Sequence, residues 1–228
     1  MRIAEIYQSL QGEGRLTGTD SVFVRTSGCN LRCWFCDTPH TSWEPEGRDL
    51  SVEEIVEQVA ALPSRHVVLT GGEPMLHAEL IPLSTVLRDA GRHVTIETAG
   101  TLTLPVHADL MSISPKFSSS APDVGHHPDW HGRHQLSRHR PNVIRELIRQ
   151  YDYQVKFVID SPDDCDETQR YLAEFPNLDR GRVYLMPQGT SVDDLRRIQH
   201  WLDPYCRRHQ LQYCPRQQIE WFGNLRGT

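Results

Sequence analysis

One stretch decides the fold: residues 21–37, with the sequence SVFVRTSGCNLRCWFCD. Its first five residues, 21–25, form an apolar, β-branched run that predicts a strand. Cys29, Cys33 and Cys36 follow on a short loop with the spacing C-x3-C-x2-C. Three thiolates on one loop fill three corners of a four-iron cluster and leave one iron open to a substrate or cofactor. We therefore expect an iron–sulfur cluster at this loop.

The alternative for the cysteine loop is a zinc knuckle. A closed zinc site needs a fourth Cys or His, and His40 is the only nearby candidate. The other cysteines, Cys165, Cys206 and Cys214, are scattered through the last third of the chain. This distribution does not suit a disulfide framework, so we expect these three to be small buried apolar residues.

Strand and helix signals alternate outward from the cysteine loop. Strands are predicted at 21–25, 66–70, 93–97, 110–113, 154–159 and 182–186. Helices are predicted near 51–61, 78–90, 142–151, 163–174 and 191–208. Several of the strands are nearly continuous apolar runs, which is typical of buried parallel strands. The alternation predicts one α/β domain over residues 1–228, either barrel-like or doubly wound.

One segment departs from the alternation. Residues 117–140 are rich in Ser, Pro, Gly, His and Arg, which predicts a long, variable, partly irregular polar loop at the surface. Five histidines fall between His126 and His139. Their spacing matches no helical or finger-like set of metal ligands, so we interpret them as solvated loop residues.

Composition excludes several classes of protein. The 228 residues are 38% hydrophobic and 24% charged, with a net charge of −6 and a mean hydropathy of −0.52, which indicates a soluble globular chain. No run approaches the ~18 apolar residues that span a bilayer, and the polar N-terminal residues do not resemble a signal peptide. From these two observations we expect a cytoplasmic protein without a membrane partner. The acidic net charge argues against a surface that coats nucleic acid, so we expect no nucleic-acid partner.

A second element strengthens the interpretation of the cysteines. Residues 70–74, TGGEP, follow a predicted strand; alone, they would be an ordinary turn before a helix. The three-cysteine loop comes first in the chain and the GGEP element second, and Phe35 stands before the last cysteine of the loop. Together these elements resemble the signature of the radical S-adenosylmethionine (SAM) superfamily. The resemblance implies a [4Fe–4S] cluster held by the three cysteines, with SAM as cofactor.

Further motifs resemble one family within that superfamily, the 7-carboxy-7-deazaguanine synthases. They are LQGEG at 10–14, FVR at 23–25, CDT at 36–38, IETAG at 96–100, SPK at 114–116 and WFGNLRG at 221–227. The resemblance runs over most of the chain and is weakest across 117–150. It implies a partial, open parallel βα barrel of about six units, with the site at the carboxyl ends of the strands, and a homodimer.

The resemblance also implies a reaction. The family is a carbon–nitrogen lyase that converts 6-carboxy-5,6,7,8-tetrahydropterin into 7-carboxy-7-deazaguanine and ammonia, in 7-deazapurine (queuosine-type) biosynthesis. SAM is used catalytically through a 5′-deoxyadenosyl radical, and a flavodoxin- or ferredoxin-like donor supplies the electron. The protein orients and shields this chemistry, which the cofactors perform.

Roles for individual residues follow from the matched motifs. The cluster ligands are Cys29, Cys33 and Cys36. The residues expected to bind SAM are Phe35, Cys36, Asp37, Gly71, Gly72, Glu73, Glu97, Ser114, Pro115, Lys116 and Gln188. The residues expected to bind the pterin are Leu10, Gln11, Gly12, Glu13, Arg25 and Thr70. Arg25 is expected to bind the pterin carboxylate, because a guanidinium can pair with a carboxylate through two hydrogen bonds. Thr38 is expected to bind Mg2+ together with substrate oxygens.

Two alternatives belong to other functional classes. An activase of the same superfamily would generate a glycyl radical on a partner protein; it would show the cysteine loop but neither LQGEG nor CDT. A non-catalytic metal-binding or scaffold protein would not bind SAM. Cleavage of SAM that depends on the tetrahydropterin distinguishes the predicted lyase from both.

Overall fold

A nine-stranded sheet organises the computed structural model, which describes all residues 1–228. The strands are β1 Arg2–Leu10, β2 Asp20–Thr26, β3 Arg48–Asp49, β4 His66–Gly71, β5 His93–Thr98, β6 Leu110–Ile113, β7 Tyr153–Ile159, β8 Val183–Pro187 and β9 Gln212–Tyr213. Their order is β3-β1-β2-β4-β5-β6-β7-β8-β9. Strand β1 pairs antiparallel with β2 and β3, whereas every pairing from β2 to β9 is parallel. The outer strands β3 and β9 do not pair with each other, so the barrel is partial and open, as predicted.

Eight helices connect or follow these strands. They are α1 Pro39–Ser42, α2 Val52–Ala60, α3 Leu80–Asp89, α4 Pro128–Ser137, α5 Pro141–Gln150, α6 Pro162–Glu174, α7 Val192–His209 and α8 Gln217–Phe222. Local sequence explains the helix starts. Ser51 caps α2 in a reciprocal pair with Glu54, and Pro162 opens α6 in its first turn. None of the helices is both long and apolar enough to cross a membrane.

The parallel strands place the site. Each of the six central strands buries at least one apolar side chain completely: Val22, Leu69, Ile96, Ile113, Val155 and Leu185. This common core fixes the register of the strands, because a slip of one residue would turn every buried side chain outward. In that register Arg25 pairs with Thr70 and Glu97 pairs with Ser112. The carboxyl ends of the strands therefore bring polar residues from distant parts of the sequence to one edge.

Two sequence-based expectations need correction. The prediction omitted β1, whose residues are mostly only partly buried, so the alternation that marks a strand is weak. The segment 117–140 is not a loop throughout, because α4 occupies Pro128–Ser137, with a proline in its first turn and Asp129 near its positive end. One of the histidines interpreted as solvated, His134, is completely buried.

Candidate active site

A cavity of about 390 Å³ lies at the carboxyl ends of the parallel strands. The cysteine loop and the Gly71–Gly72 turn line one part of it, and β1 lines another. The C-terminal residues 223–228 also line it, so the end of the chain packs beside this opening. The cavity brings together predicted residues from nearly the whole length of the chain.

The three cysteines of the loop face this cavity as free thiols. Burial raises the pKa of Cys29 to about 11 and that of Cys33 to about 12. Thiolates therefore form here only when a bound cation compensates the lost solvation. Three free thiols on one loop, Cys33 buried and Cys29 and Cys36 half-buried, fit the donor set of an iron–sulfur cluster with one open iron.

The zinc alternative does not fit the geometry. No three His, Cys, Asp or Glu side chains converge closely enough to hold one metal ion. His40, the candidate fourth ligand, places its Nε2 3.6 Å from Oε1 of Glu5. The ligands of a four-iron cluster need not converge on one point, because each of them binds a different iron.

The two glycines of the GGEP element pack against the backbone of the cysteine loop. Gly71 has φ +123°, and a Cβ there would lie 2.1 Å from the Thr26 carbonyl oxygen. A Cβ on Gly72 would lie 2.0 Å from the Gly28 carbonyl oxygen. The backbone nitrogens of Gly72 and Glu73 donate to these same two oxygens, at 3.1 and 2.9 Å. Only glycine permits this approach, which joins the end of β4 to the start of the loop.

Eighteen of the predicted site residues line the cavity, and two do not. The lining ones are Leu10, Gln11, Gly12, Glu13, Arg25, Cys29, Cys33, Phe35, Cys36, Asp37, Thr38, Thr70, Gly71, Gly72, Glu97, Ser114, Lys116 and Gln188. Pro115 and Glu73 lie outside the lining. The buried Glu73 carboxylate accepts hydrogen bonds from Thr98 Oγ1 and from the nitrogens of Ala99 and Met75. Burial raises its pKa, and its contacts stabilise the turn.

A buried lysine joins two of the predicted carboxylates. Lys156 Nζ lies 3.0 Å from Oε2 of Glu13 and 2.8 Å from Oε1 of Glu97. Burial alone would raise the pKa of Glu13, but Lys156 and Arg216 lower it to about 2. Burial would lower the pKa of Lys156, and its two carboxylates raise it instead. Glu13 and Lys156 therefore both stay charged at neutral pH.

Arg216, near the C-terminus, forms a second bridge in the cavity. Its guanidinium contacts Oε1 of Glu13 at 3.3 Å and also pairs with Asp37. Gln218 Nε2 donates to the same Glu13 oxygen at 2.7 Å. Gln217 N also donates to the Gly12 carbonyl oxygen at 2.9 Å. These hydrogen bonds hold the C-terminal segment and the LQGEG motif in position against each other.

Arg25 is held in the cavity by two side chains of β1. Its Nε donates to Oε2 of Glu5 at 3.1 Å, and its Nη2 donates to the Tyr7 hydroxyl at 2.7 Å. Burial lowers the pKa of Arg25, but Tyr7, Asp37 and Glu5 outweigh it and the pKa is raised. Nη1 makes no hydrogen bond within the chain, and Arg25 lines the cavity.

The remaining polar residues have fewer partners. Lys116 Nζ donates to Oγ of Ser114 at 2.8 Å, and Thr70 Oγ1 donates to Oε2 of Glu97 at 2.8 Å. Thr38 Oγ1 lies 3.8 Å from the sulfur of Cys36. Lys116 therefore keeps donor capacity for an anionic group in the cavity.

Sequence reasoning missed five residues that shape the site: Glu5, Tyr7, Lys156, Arg216 and Gln218. Three of them are brought there from distant elements, Lys156 by β7 and the other two by the C-terminal segment. Lys156 had one usable signal, since it is one of only two lysines in the chain. Glu5 and Tyr7 lie on the unpredicted strand β1.

Comparison with known proteins agrees with this geometry. The family model of the Radical SAM superfamily matches residues 23–116. A relative from Rhodopirellula baltica named 7-carboxy-7-deazaguanine synthase is 49% identical over 227 residues, covering 99% of this chain and 88% of the relative. The chain belongs to the 7-carboxy-7-deazaguanine synthase family. A family member from Halobacterium salinarum is 43% identical, over 95% of this chain and 88% of its own.

Solved structures agree on the fold of this family member. The crystal structure of QueE from Escherichia coli superposes with a TM-score of 0.70 at 24% identity, covering 94% of this chain and 92% of the other. Streptococcus suis SuiB superposes with a TM-score of 0.57 at 15% identity, over 85% of this chain and 48% of the other. The resemblance found in the sequence and the open-barrel fold are confirmed.

Proposed function

We propose that the chain converts 6-carboxy-5,6,7,8-tetrahydropterin into 7-carboxy-7-deazaguanine and ammonia, with SAM as a catalytic cofactor. One observation carries the proposal: a single cavity is lined by the three thiols, by the LQGEG motif with its ionised Glu13, and by Arg25. The cavity thus offers a site for a metal cluster beside an acceptor and a cation suited to a carboxylated, amino-bearing heterocycle.

Cys29, Cys33 and Cys36 would hold a [4Fe–4S] cluster whose open iron faces SAM. When bound, the cluster and SAM supply the one-electron chemistry that removes a hydrogen atom from the substrate. Lys116, beside Ser114, would pair with the carboxylate of SAM, because its ammonium donates only to Ser114 within the chain. Each oxygen of Glu97 already accepts one hydrogen bond and keeps a further lone pair for a ribose hydroxyl.

The pterin would lie between Glu13 and Arg25. Glu13 stays ionised, because its pKa is about 2, and it accepts hydrogen bonds from the amino edge of the ring together with the backbone of residues 10–12. Arg25 would bind the pterin carboxylate through Nη1, which has no partner in the chain. Glu5 and Tyr7 hold the guanidinium in place for that contact.

Four further predictions accompany this proposal. Mg2+ would bind at Thr38, which lines the cavity. The electron donor would be a flavodoxin- or ferredoxin-like protein. A homodimer and a cytoplasmic location complete the prediction made from the sequence.

The test is anaerobic reconstitution with iron and sulfide, followed by incubation with SAM, dithionite and the tetrahydropterin. We expect 7-carboxy-7-deazaguanine and ammonia, formed only when all three are present, and no product from Cys33→Ala. Turnover of a peptide instead of the pterin would favour the activase alternative. Failure of the reconstituted chain to bind SAM would favour the scaffold alternative.

A further inference from the structure

A buried histidine of α4, which the proposed reaction does not use, holds the backbone of the cysteine loop. His134 is completely buried. Its Nδ1 lies 3.1 Å from the backbone nitrogen of Arg32, and its Nε2 lies 2.8 Å from Oγ of Ser120. A backbone N–H only donates, so Nδ1 accepts and the proton resides on Nε2.

The other groups of this chain of hydrogen bonds are satisfied in the same direction. The Nε2–H of His134 donates to Oγ of Ser120, and the Ser120 hydroxyl donates to the Phe117 carbonyl oxygen at 2.6 Å. Donors and acceptors alternate without a gap, which fixes the neutral tautomer of the imidazole. Such a buried and satisfied chain holds its members in one arrangement.

The cysteine loop is held on both sides of Cys33. Arg32 immediately precedes it and donates its backbone N–H to the imidazole. Trp43 Nε1 donates to the Cys33 carbonyl oxygen at 3.0 Å, and the Trp34 nitrogen donates to the Ser120 carbonyl oxygen at 3.1 Å. Three consecutive residues therefore each have a backbone group bonded to a residue outside the loop.

A second contact joins the same helix to the same loop. The Arg32 guanidinium lies 3.9 Å over the ring of Trp130 and donates to the Cys29 carbonyl oxygen at 2.7 Å. Helix α4 thus packs on the outside of the loop, while the thiols face the cavity on the other side. The segment 117–140 forms the back wall of the predicted cluster site.

We propose that His134 is a positioning residue for the cluster: by accepting the backbone N–H of Arg32, it keeps Cys33 oriented toward the iron and slows loss of the cluster. The inference rests on the cluster of the proposed function. It concerns one directional hydrogen bond, which an aromatic ring without an acceptor does not replace.

Three variants separate positioning from packing. His134→Phe keeps an aromatic ring at this position and removes both hydrogen bonds. His134→Asn keeps an acceptor, because the amide Oδ1 occupies the place of Nδ1. His126→Phe is the matched control, since His126 lies in the same segment with its side chain 85% exposed.

The measurement is the rate at which an iron chelator removes iron from the anaerobically reconstituted chains, followed by the visible absorption of the cluster. We expect His134→Phe to lose iron about tenfold faster than the unchanged chain, equivalent to about 1.4 kcal/mol. His134→Asn should stay within about threefold of the unchanged chain, and His126→Phe should match it. The thermal midpoint of each metal-free chain reports its folding separately.

Two results would overturn the positioning role. One is iron loss from His134→Phe at the same rate as from the unchanged chain. The other is iron loss from His134→Asn as fast as from His134→Phe. In either case, iron uptake by the unchanged chain leaves the proposed function intact. An unchanged chain that takes up no iron would overturn both proposals.

Discussion

The ammonium of Lys156 lies 2.8 Å from Oε1 of Glu97 inside the barrel, and the lysine side chain is only 5% exposed. The same nitrogen lies 3.0 Å from Glu13. Under the proposed function, Glu13 faces the pterin and Glu97 faces the ribose of SAM. One cation therefore fixes the acceptors for both ligands, and a change at Lys156 affects both sites together.

Lys156→Met should weaken binding of SAM and of the pterin in parallel and lower the stability of the fold. Removing one member of a buried ion pair leaves uncompensated charge, which costs roughly 3–5 kcal/mol. Urea unfolding measures the stability, and calorimetry of SAM and of the pterin measures the two affinities. Arg15→Ala is the control, because its pair with Asp152 is 38% and 44% exposed and such pairs contribute about 1 kcal/mol or less. Loss of only one affinity would contradict the bridging role.

Arg25→Ala should weaken binding of the pterin and leave binding of SAM nearly unchanged. A charge-assisted contact to a carboxylate contributes about 2–4 kcal/mol when desolvated, which corresponds to roughly 30- to 1000-fold in productive binding. Arg25→Lys should restore only part of this, since an ammonium lacks the planar fork. Substrate saturation kinetics and SAM calorimetry on the same variants make the comparison. An equal fall in both affinities would place Arg25 with the cofactor or the fold.

Tyr7→Phe tests how Arg25 is held. The variant removes the hydroxyl that accepts from Nη2 at 2.7 Å and leaves the stacking of the ring on Phe23, with centroids 5.2 Å apart. We expect KM for the pterin to rise by about tenfold, from loss of one hydrogen bond to a charged group, with kcat nearly unchanged. An unchanged KM would show that Glu5 alone positions the guanidinium.

The six cysteines should divide into two sets. Ala at Cys29, Cys33 or Cys36 should abolish both the visible absorption of the cluster and SAM cleavage. Ala at the buried Cys165, Cys206 or Cys214 should leave the iron content unchanged and reduce stability modestly, since these behave as small apolar residues. The measurement is the iron and sulfide content of each variant after reconstitution. Loss of the cluster on changing Cys214 would refute the ligand assignment.

His134 predicts a pH dependence of the metal-free chain. Burial lowers its pKa from the usual 6.5 to about 4, so the folded state holds the imidazole neutral. The neutral imidazole contributes fully to the free energy of unfolding above pH 6.5, and this contribution is lost as the pH falls through 4. The reason is that the imidazole of the unfolded chain, with the higher pKa, is protonated before that of the folded chain. Between pH 7 and pH 4.5 we expect roughly 2 kcal/mol of unfolding free energy to be lost, and His134→Phe to lose less. Urea titrations at pH 7 and pH 4.5 measure the difference, and an equal loss in both chains would contradict this assignment.

The parts of the site that are local in sequence could be predicted, and those assembled by long-range packing could not. The cysteine loop and the GGEP turn each lie within a few residues and follow apolar strands. Lys156 and Arg216 reach the cavity only because strand register and the C-terminal segment bring them there, and no local pattern marks them. Helix α4 was missed because its Gly132 and two histidines give it almost no apolar face.

The contact of Gly71 and Gly72 with the carbonyl oxygens of Thr26 and Gly28 has a consequence for protein engineering. A cysteine loop transplanted alone into another scaffold would lack the neighbouring strand end that donates two hydrogen bonds to its first residues. The portable unit is therefore the pair of βα junctions, loop and turn together. A designer who copies only the three cysteines would obtain thiols in a loop of undefined shape, whereas copying both junctions would carry over the backbone that aims them.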